Sequence, residues 1–141
     1  MDEQSERVLT EVAVLEANRD FYRAFGEGNF EAMSRVWAER APVVCMHPGL
    51  PPLVGRSAVL DSWKQVLGPA AEWEMSCRAA RAHVMGNAAF VTCLEASGDK
   101  PAHLAATNVF VLEDGRWRMV HHQAGPLSHP VSASSSPGAS N

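Results

Sequence analysis

The hydrophobic period of this chain changes once, near Pro69, and that change decides the fold class. From Val8 to Phe25 the apolar residues Val8, Leu9, Val12, Leu15, Phe21, Tyr22 and Phe25 recur at three- and four-residue steps between charged positions, the pattern of an amphipathic helix. Gly26 and Gly28 stop it. Asn29 is a good N-cap for a shorter helix with the stripe Phe30, Met33, Val36 and Trp37, which Pro42 ends. Val43 to Met46 reads as a short strand that His47, Pro48 and Gly49 break, and Leu50, Pro51, Pro52 and Leu53 suit neither regular structure. A third helix follows from about Ser57, with Val59, Leu60, Trp63, Val66 and Leu67 on its apolar face, closed by Gly68 and Pro69.

Beyond Pro69 four extended runs rich in Val, Thr, Phe and Trp follow one another, roughly Glu72 to Met85, Ala88 to Ala96, His103 to Glu113 and Arg116 to Gln123. Short turn signals separate them, so they read as an antiparallel meander. Asp114-Gly115 is the preferred pair for a two-residue type I′ hairpin and fixes a register in which Glu113 faces Arg116. Carried onward without interruption, that register pairs Leu112 with Trp117, Phe110 with Met119 and Asn108 with His121 on one bulky, apolar side. Val111 with Arg118, Val109 with Val120 and Thr107 with His122 fall on the other, mixed side. His121 is thereby expected to point inward and His122 outward.

With 141 residues, 46% of them hydrophobic, the chain has enough apolar material for one core and no room for a second domain. Twelve basic against sixteen acidic residues, a net charge of −4, set an average field that repels a phosphate backbone, so no nucleic-acid partner is expected. No apolar run approaches the roughly 18 residues of a membrane helix, and the first seven residues are acidic rather than a secretory signal. The expected location is the cytoplasm, with no membrane partner. Cys45, Cys77 and Cys93, odd in number and set in apolar or strand-like runs, suit buried thiols in a reducing compartment. From Pro126 onward six serines and three prolines leave little to bury, and residues 126–141 are expected to be disordered, while residues 1–7 are expected to form an N-terminal tail.

Three helices, a short strand and a four-stranded meander carry the strings Val44-Cys45-Met46-His47-Pro48-Gly49, Gly55-Arg56-Ser57-Ala58-Val59-Leu60-Asp61-Ser62-Trp63 and Asp114-Gly115-Arg116-Trp117-Arg118-Met119-Val120-His121-His122. In this order they resemble the SnoaL-like branch of the nuclear-transport-factor-two-like, or ketosteroid-isomerase-like, superfamily over residues 8–125. The resemblance implies an α+β fold, a cone-shaped curved antiparallel sheet wrapped around a long N-terminal helix with two further helices and an apolar pocket inside. It also implies a homodimer formed through the outer face of the sheet.

Such a fold hosts many reactions, so the site is read from its own residues. The steroid-isomerase set of an Asp base with a Tyr and a protonated Asp is incomplete here: none of the five aspartates lies within an expected strand, and only Tyr22 matches. His47, where the first strand turns across the expected pocket mouth, can exchange a proton near neutrality, or can simply cap its loop. His121 opposite Asn108 is a second candidate acid or base, its alternative being a satisfied core histidine. Glu95 closes an apolar strand and is either a pocket carboxylate with a raised pKa or solvent-exposed, depending on the register of the loop after Ser97. Trp37, Trp63 and Trp73, with Phe21, Tyr22, Phe25 and Met75, fill the core or line an apolar cavity. Arg56 meets an anionic group or caps at the surface. His121 and His122 are adjacent on a strand and cannot chelate one ion, there is no zinc spacing and no glycine-rich phosphate loop, so neither metal nor cofactor is expected.

Two functional readings follow. One is a pocket for an apolar, oxygenated small molecule with cofactor-free acid–base chemistry of isomerase, cyclase or hydrolase type, using His47 and His121 as catalytic groups and Tyr22, Trp37, Trp63, Asn108 and Glu95 as binding groups. The other is a non-catalytic ligand-binding or dimerisation module.

Overall fold

A computed structural model describes residues 2–68 and 74–132. Helix α1 (Glu3–Glu27) leads to α2 (Phe30–Val36), the short strands β1 (Val44–Met46) and β2 (Leu53–Val54), α3 (Arg56–Val66), and four longer strands, β3 (Met75–Met85), β4 (Ala88–Ser97), β5 (Ala102–Glu113) and β6 (Arg116–Val131). The change of period at Pro69 therefore divides helices from meander as expected. Glu72 and Trp73, placed by the sequence reading in the first long strand, lie outside the described residues.

Local chemistry sets the helix ends. Asp2 accepts the Ser5 N–H through its carboxylate at 2.7 Å, so α1 starts at Glu3 and residues 3–7, expected as a tail, are helical. Gly28 ends it in the left-handed region, φ 65°, and its N–H returns to the Ala24 carbonyl. The Asn29 side chain caps α2 by accepting from Ala32 N–H at 3.0 Å. At the other end of α2 the Arg56 guanidinium donates to the carbonyls of Ser34, Trp37 and Ala38, at 2.9, 2.8 and 3.0 Å. Arg56 is thus a cap for helix carbonyls that would otherwise be unsatisfied.

The sheet order is β2-β1-β6-β5-β4-β3. β3 to β6 form the expected antiparallel meander, whereas β1 runs parallel to β6, which makes the curved sheet mixed. Leu53, expected to be irregular, pairs with Cys45, and Val54 pairs with Val44, at the sheet edge. That placement suits a segment following two prolines, since edge strands tolerate missing donors nearby. Asn18, Phe21, Tyr22 and Phe25 of α1 are buried against the sheet, and Phe21, Trp37, Trp63, Phe110 and Met119 are completely enclosed.

The Asp114-Gly115 hairpin forms with both residues at positive φ, 53° and 76°. Its register holds through Glu113–Arg116, Leu112–Trp117, Val111–Arg118 and Phe110–Met119, and then breaks. Val109 pairs with His121, leaving Val120 as an extra residue on β6, so Asn108 faces His122 instead of His121. The bulge falls where β6 changes its second neighbour. Met119 bridges to Trp37 and accepts the Ala38 N–H at 3.0 Å, while from His121 onward β6 pairs with β1. One added residue exchanges the two faces of the strand. His122 is buried and His121 only half-buried, the reverse of the uninterrupted register.

At its far end β6 continues through Pro126 to Val131, where the composition led to an expectation of disorder. Ala102 on β5 is buried and pairs with Val131, and Pro126 sits opposite Leu104 beside a shift in the ladder, a position where a missing N–H is tolerated. Residues 133–141 lie outside the described residues.

Glu113, next to the hairpin, accepts the backbone N–H groups of Glu39, Arg40 and Ala41 at 2.9, 3.1 and 3.1 Å. The Arg40 guanidinium forks onto both carboxylate oxygens of Asp114 at 2.7 Å. The Glu39 N–H, ahead of the others, holds the Glu113 carboxyl below its ordinary pKa, so its stabilisation is present above about pH 4.5 and lost as pH falls further. Glu113→Gln is expected to lower the Tm by a few degrees at pH 7 and to flatten the acid limb of a Tm–pH profile; an unchanged profile contradicts the role.

Candidate active site

Between the inner face of the sheet, the end of α1 and α3 lies a cavity of about 560 Å³. Phe25, Trp63, Val66, Met75 and Leu104 supply most of its apolar wall. His47, Ser62, Glu95, Ser97, His103 and His122 supply its titratable and hydroxyl groups, and no Lys or Arg lines it among the described residues. The volume and the mixture suit a small neutral molecule.

Behind one wall runs a buried chain of hydrogen bonds centred on Asn108. Its Nδ2 donates to Asn18 Oδ1 at 2.8 Å and to the Tyr22 hydroxyl at 3.1 Å. Its Oδ1 must then accept, and the partner is His122 Nδ1 at 2.6 Å. Nδ1 therefore carries the ring proton, and the lone pair of a neutral His122 sits on Nε2. Burial, ahead of the nearby His47 and His121, pushes the His122 pKa down to about 3 and keeps the ring neutral. The Tyr22 hydroxyl, accepting from Asn108, donates to Glu95 Oε2 at 2.7 Å. It also touches Cys93 Sγ at 3.2 Å.

Glu95 is 1% exposed. Burial raises its carboxyl above the ordinary range, with the Tyr22 hydrogen bond opposing that rise. His122 Nε2 lies 3.9 Å from Glu95 Oε2, and with His122 neutral the contact is not an ion pair. It is a basic nitrogen beside a carboxyl that keeps its proton to higher pH than usual. Should the carboxyl give that proton away, the carboxylate left at 3.9 Å favours protonation of Nε2, so each group strengthens the other.

Nearer the loop after β1, His47 Nε2 hydrogen-bonds the Ser62 hydroxyl, and burial lowers its pKa. Trp63 organises this wall: its ring meets His47, Phe25 and Phe21 edge-on at centroid distances of 5.0, 5.0 and 5.4 Å. The Phe21 ring in turn packs against the His122 ring at a centroid distance of 4.8 Å, tilted by 44°.

Of the residues picked from sequence, His47, Trp63 and Glu95 line the cavity, and Tyr22 and Asn108 stand directly behind it in the hydrogen-bond chain. Glu95 is buried, not solvent-exposed, because its pairing with Cys77 and Leu104 turns it inward. Two expectations are corrected. His121 does not reach the cavity, since the Val120 bulge turns it to the other face and puts His122 in its place. Trp37 is fully buried where α2 meets Met119, away from the cavity. His122, Ser62 and His103 were missed. Ser62 was legible in principle, lying one position before Trp63 on the cavity side of α3, whereas the bulge that selects His122 leaves no local sequence signature. Cys45 is fully buried and its thiol pKa is pushed up to about 12 by burial, which makes it a core residue and not a nucleophile.

The chain belongs to the SnoaL-like domain family, which matches residues 14–129. Among solved structures, a protein named as a dehydratase from the NTF2-like family of Streptomyces avermitilis is 30% identical with a TM-score of 0.74, covering 83% of this chain and 95% of that one. A protein from Thiobacillus denitrificans named as a calcium/calmodulin-dependent protein kinase type II association domain is 34% identical with a TM-score of 0.67, covering 79% and 93%. F-box protein SKIP8 of Arabidopsis thaliana is 26% identical over 122 residues, 86% of this chain and 53% of that protein, so the chain spans about half its length. Among the described residues no helix is long and apolar enough to cross a membrane.

Two solution measurements check this electrostatic picture. Tyr22 is the single tyrosine, and burial, then the proximity of Glu95, raises its pKa well above 10. Its phenolate absorbance is expected to appear on alkaline titration only as the protein unfolds; ionisation near pH 10 in the folded state contradicts the network. For His122, the unfolded chain binds a proton near pH 6.5 and the native chain does not, so stability falls as pH drops from 6.5 towards 3. Urea denaturation should show a loss approaching ~1.4 kcal/mol per pH unit from this residue, and His122→Asn should remove that component of the slope.

Proposed function

We propose that this protein binds a neutral, apolar, oxygenated small molecule and moves protons on it without a cofactor, with His122 as base and Glu95 as acid. The observation that carries this reading is the pair itself: an unprotonated imidazole nitrogen and a carboxyl of raised pKa, 3.9 Å apart on the wall of an apolar cavity. A base with so low a pKa is weak alone. It becomes adequate when proton removal by Nε2 and proton donation by Glu95 occur together, because the reaction then creates a carboxylate beside the new imidazolium. Asn108 holds the tautomer and the ring position, Tyr22 holds the carboxyl, and the His47–Ser62 pair offers a second polar anchor on the cavity wall.

Proton removal with donation to a leaving or carbonyl oxygen is the chemistry of dehydration and of enolisation. The name of the Streptomyces protein supports that class. The name of the Thiobacillus protein supports an additional role in assembly, and for this chain we infer a homodimer through the outer sheet face, where Thr92, Leu94, Ala105, Thr107 and Gln123 surround a shallow groove of about 390 Å³. The three free cysteines support a reducing, cytoplasmic setting.

The reaction is tested by exchange of the α-hydrogens of neutral hydroxyketones with deuterated water, followed by proton NMR. His122→Gln and Glu95→Gln are each expected to lower the catalysed rate by at least about 100-fold, and His121→Ala to leave it unchanged. The wild-type rate should decline as pH rises through the raised Glu95 pKa. Equal exchange by wild type and His122→Gln overturns the assignment.

A further inference from the structure

A second opening, a groove of about 370 Å³ between α1 and β3, leads from the surface to the back of the hydrogen-bond chain. Leu15, Asn18, Arg19, Tyr22, Met75 and Cys77 line it. The acid–base reading makes no use of it. Its chemistry lies in two thiols on the inner face of adjacent strands. Cys77 on β3 stands directly opposite Glu95 on β4, which makes Cys93, two residues earlier, its diagonal neighbour. Cys77 is half-buried at the groove, and Cys93 is 5% exposed behind it.

The two thiols have unequal surroundings. Asn18 Nδ2 points at Cys77 Sγ from 3.6 Å, and the Arg19 charge lies nearby. The Cys93 thiol, ahead of these, favours ionisation of Cys77, while Cys93 itself is pushed strongly towards the protonated form by Cys77 and by burial. The accessible sulfur is thus the nucleophile and the buried one the proton holder, the asymmetry of an attacking and a resolving cysteine. Cys93 has one proton and two neighbours for it, the Cys77 sulfur and the Tyr22 hydroxyl at 3.2 Å. The ladder between β3 and β4 is irregular at this point, where Ala79 and Ala80 are inserted between Arg78 and Arg81 opposite Cys93, and Ala79 has φ 57°. A bulged stretch of strand has the slack to bring diagonal sulfurs together.

We propose that Cys77 and Cys93 form a peroxide-oxidisable dithiol whose state is transmitted through Tyr22 to Glu95. The Cys77 thiolate attacks one oxygen of a hydroperoxide, the O–O bond breaks, Cys77 becomes a sulfenic acid, and the departing alkoxide or hydroxide takes up from solvent the proton that Cys77 gave up on ionising, leaving as alcohol or water. Cys93 sulfur then attacks the Cys77 sulfur, the S–O bond breaks, and the hydroxide leaves with the Cys93 proton as water. Two thiols are oxidised by two electrons and one peroxide is reduced. Forming the disulfide draws Cys93 Sγ towards Cys77 and away from the Tyr22 hydroxyl it touches at 3.2 Å, so the hydroxyl that holds Glu95 loses a neighbour. Any effect on turnover rests on the acid–base reading above; the dithiol and its signal at Tyr22 do not.

The experiment therefore uses no substrate. The full chain carrying ring-¹³C tyrosine is treated with hydrogen peroxide and analysed by non-reducing tryptic mass spectrometry and by NMR of Tyr22, the single tyrosine. Trypsin separates the three cysteines into fragments 41–56, 65–78 and 82–116. The expected result is an intramolecular link between fragments 65–78 and 82–116 that dithiothreitol reverses, with a matching shift of the Tyr22 resonance. Cys77→Ser should abolish both, and Cys93→Ser should let Cys77 proceed to the sulfinic acid. In the untreated protein, Cys77 should alkylate at least about tenfold faster than Cys45. Separate sulfinic acids on the two wild-type cysteines, a link involving Cys45, or a disulfide that leaves Tyr22 unmoved overturns the proposal.

Discussion

The Asn108 carboxamide is the interaction on which both fold and site depend. Both of its polar ends are engaged in the interior: the oxygen by His122, the nitrogen by Asn18 and Tyr22. Through it the long first helix is tied to two central strands by directional bonds instead of by apolar contact alone. An unpartnered amide at this depth would cost roughly 1–3 kcal/mol, so the four side chains have to be placed together or not at all. The same arrangement fixes which nitrogen of His122 faces Glu95. A polar chain that specifies the packing of α1 is thereby also the part that sets the chemistry of the cavity wall.

Much of this was legible in the sequence where burial dictates pattern. The change of period near Pro69, the caps at Asn29 and Gly28 and the hairpin at Asp114-Gly115 each follow from local physics, and the hairpin predicts four successive pairs correctly. The same extrapolation then fails by one residue at Val120. Nothing local marks that bulge; it arises because β6 changes partner from the segment after α2 to β1, a tertiary event. With period-two side chains a single extra residue was enough to exchange His121 for His122. Tyr22 is singled out by the family resemblance, Asn108 by the hairpin register and Glu95 by its place at the end of an apolar strand, but their mutual bonding depends on strand registers that no short motif encodes. Composition misled at the end of the chain, where a serine- and proline-bearing segment still pairs along β5 as far as Val131.

Family membership and local chemistry bear on different levels. Membership accounts for the curved sheet, the long helix and the existence of a cavity, and many reactions share that frame. The chemistry of this chain's cavity lies in its wall, which holds a neutral imidazole and a buried carboxyl and, among the described residues, no cationic side chain to attract an anion. Burial acts oppositely on the two groups: it drains the proton from His122 and retains it on Glu95. These opposed shifts are what the proposed roles of base and acid rest on.

The chemistry of the cavity wall turns on the state of His122. Long-range proton–nitrogen correlation on a protein carrying ¹⁵N histidine reads the tautomer and the titration of each ring directly. The bond to Asn108 and the burial of the ring predict a hydrogen on Nδ1, a bare Nε2, and a ring that stays neutral far below pH 6.5. A hydrogen on Nε2, or a titration near pH 6.5, would contradict this and remove the base from the proposed function.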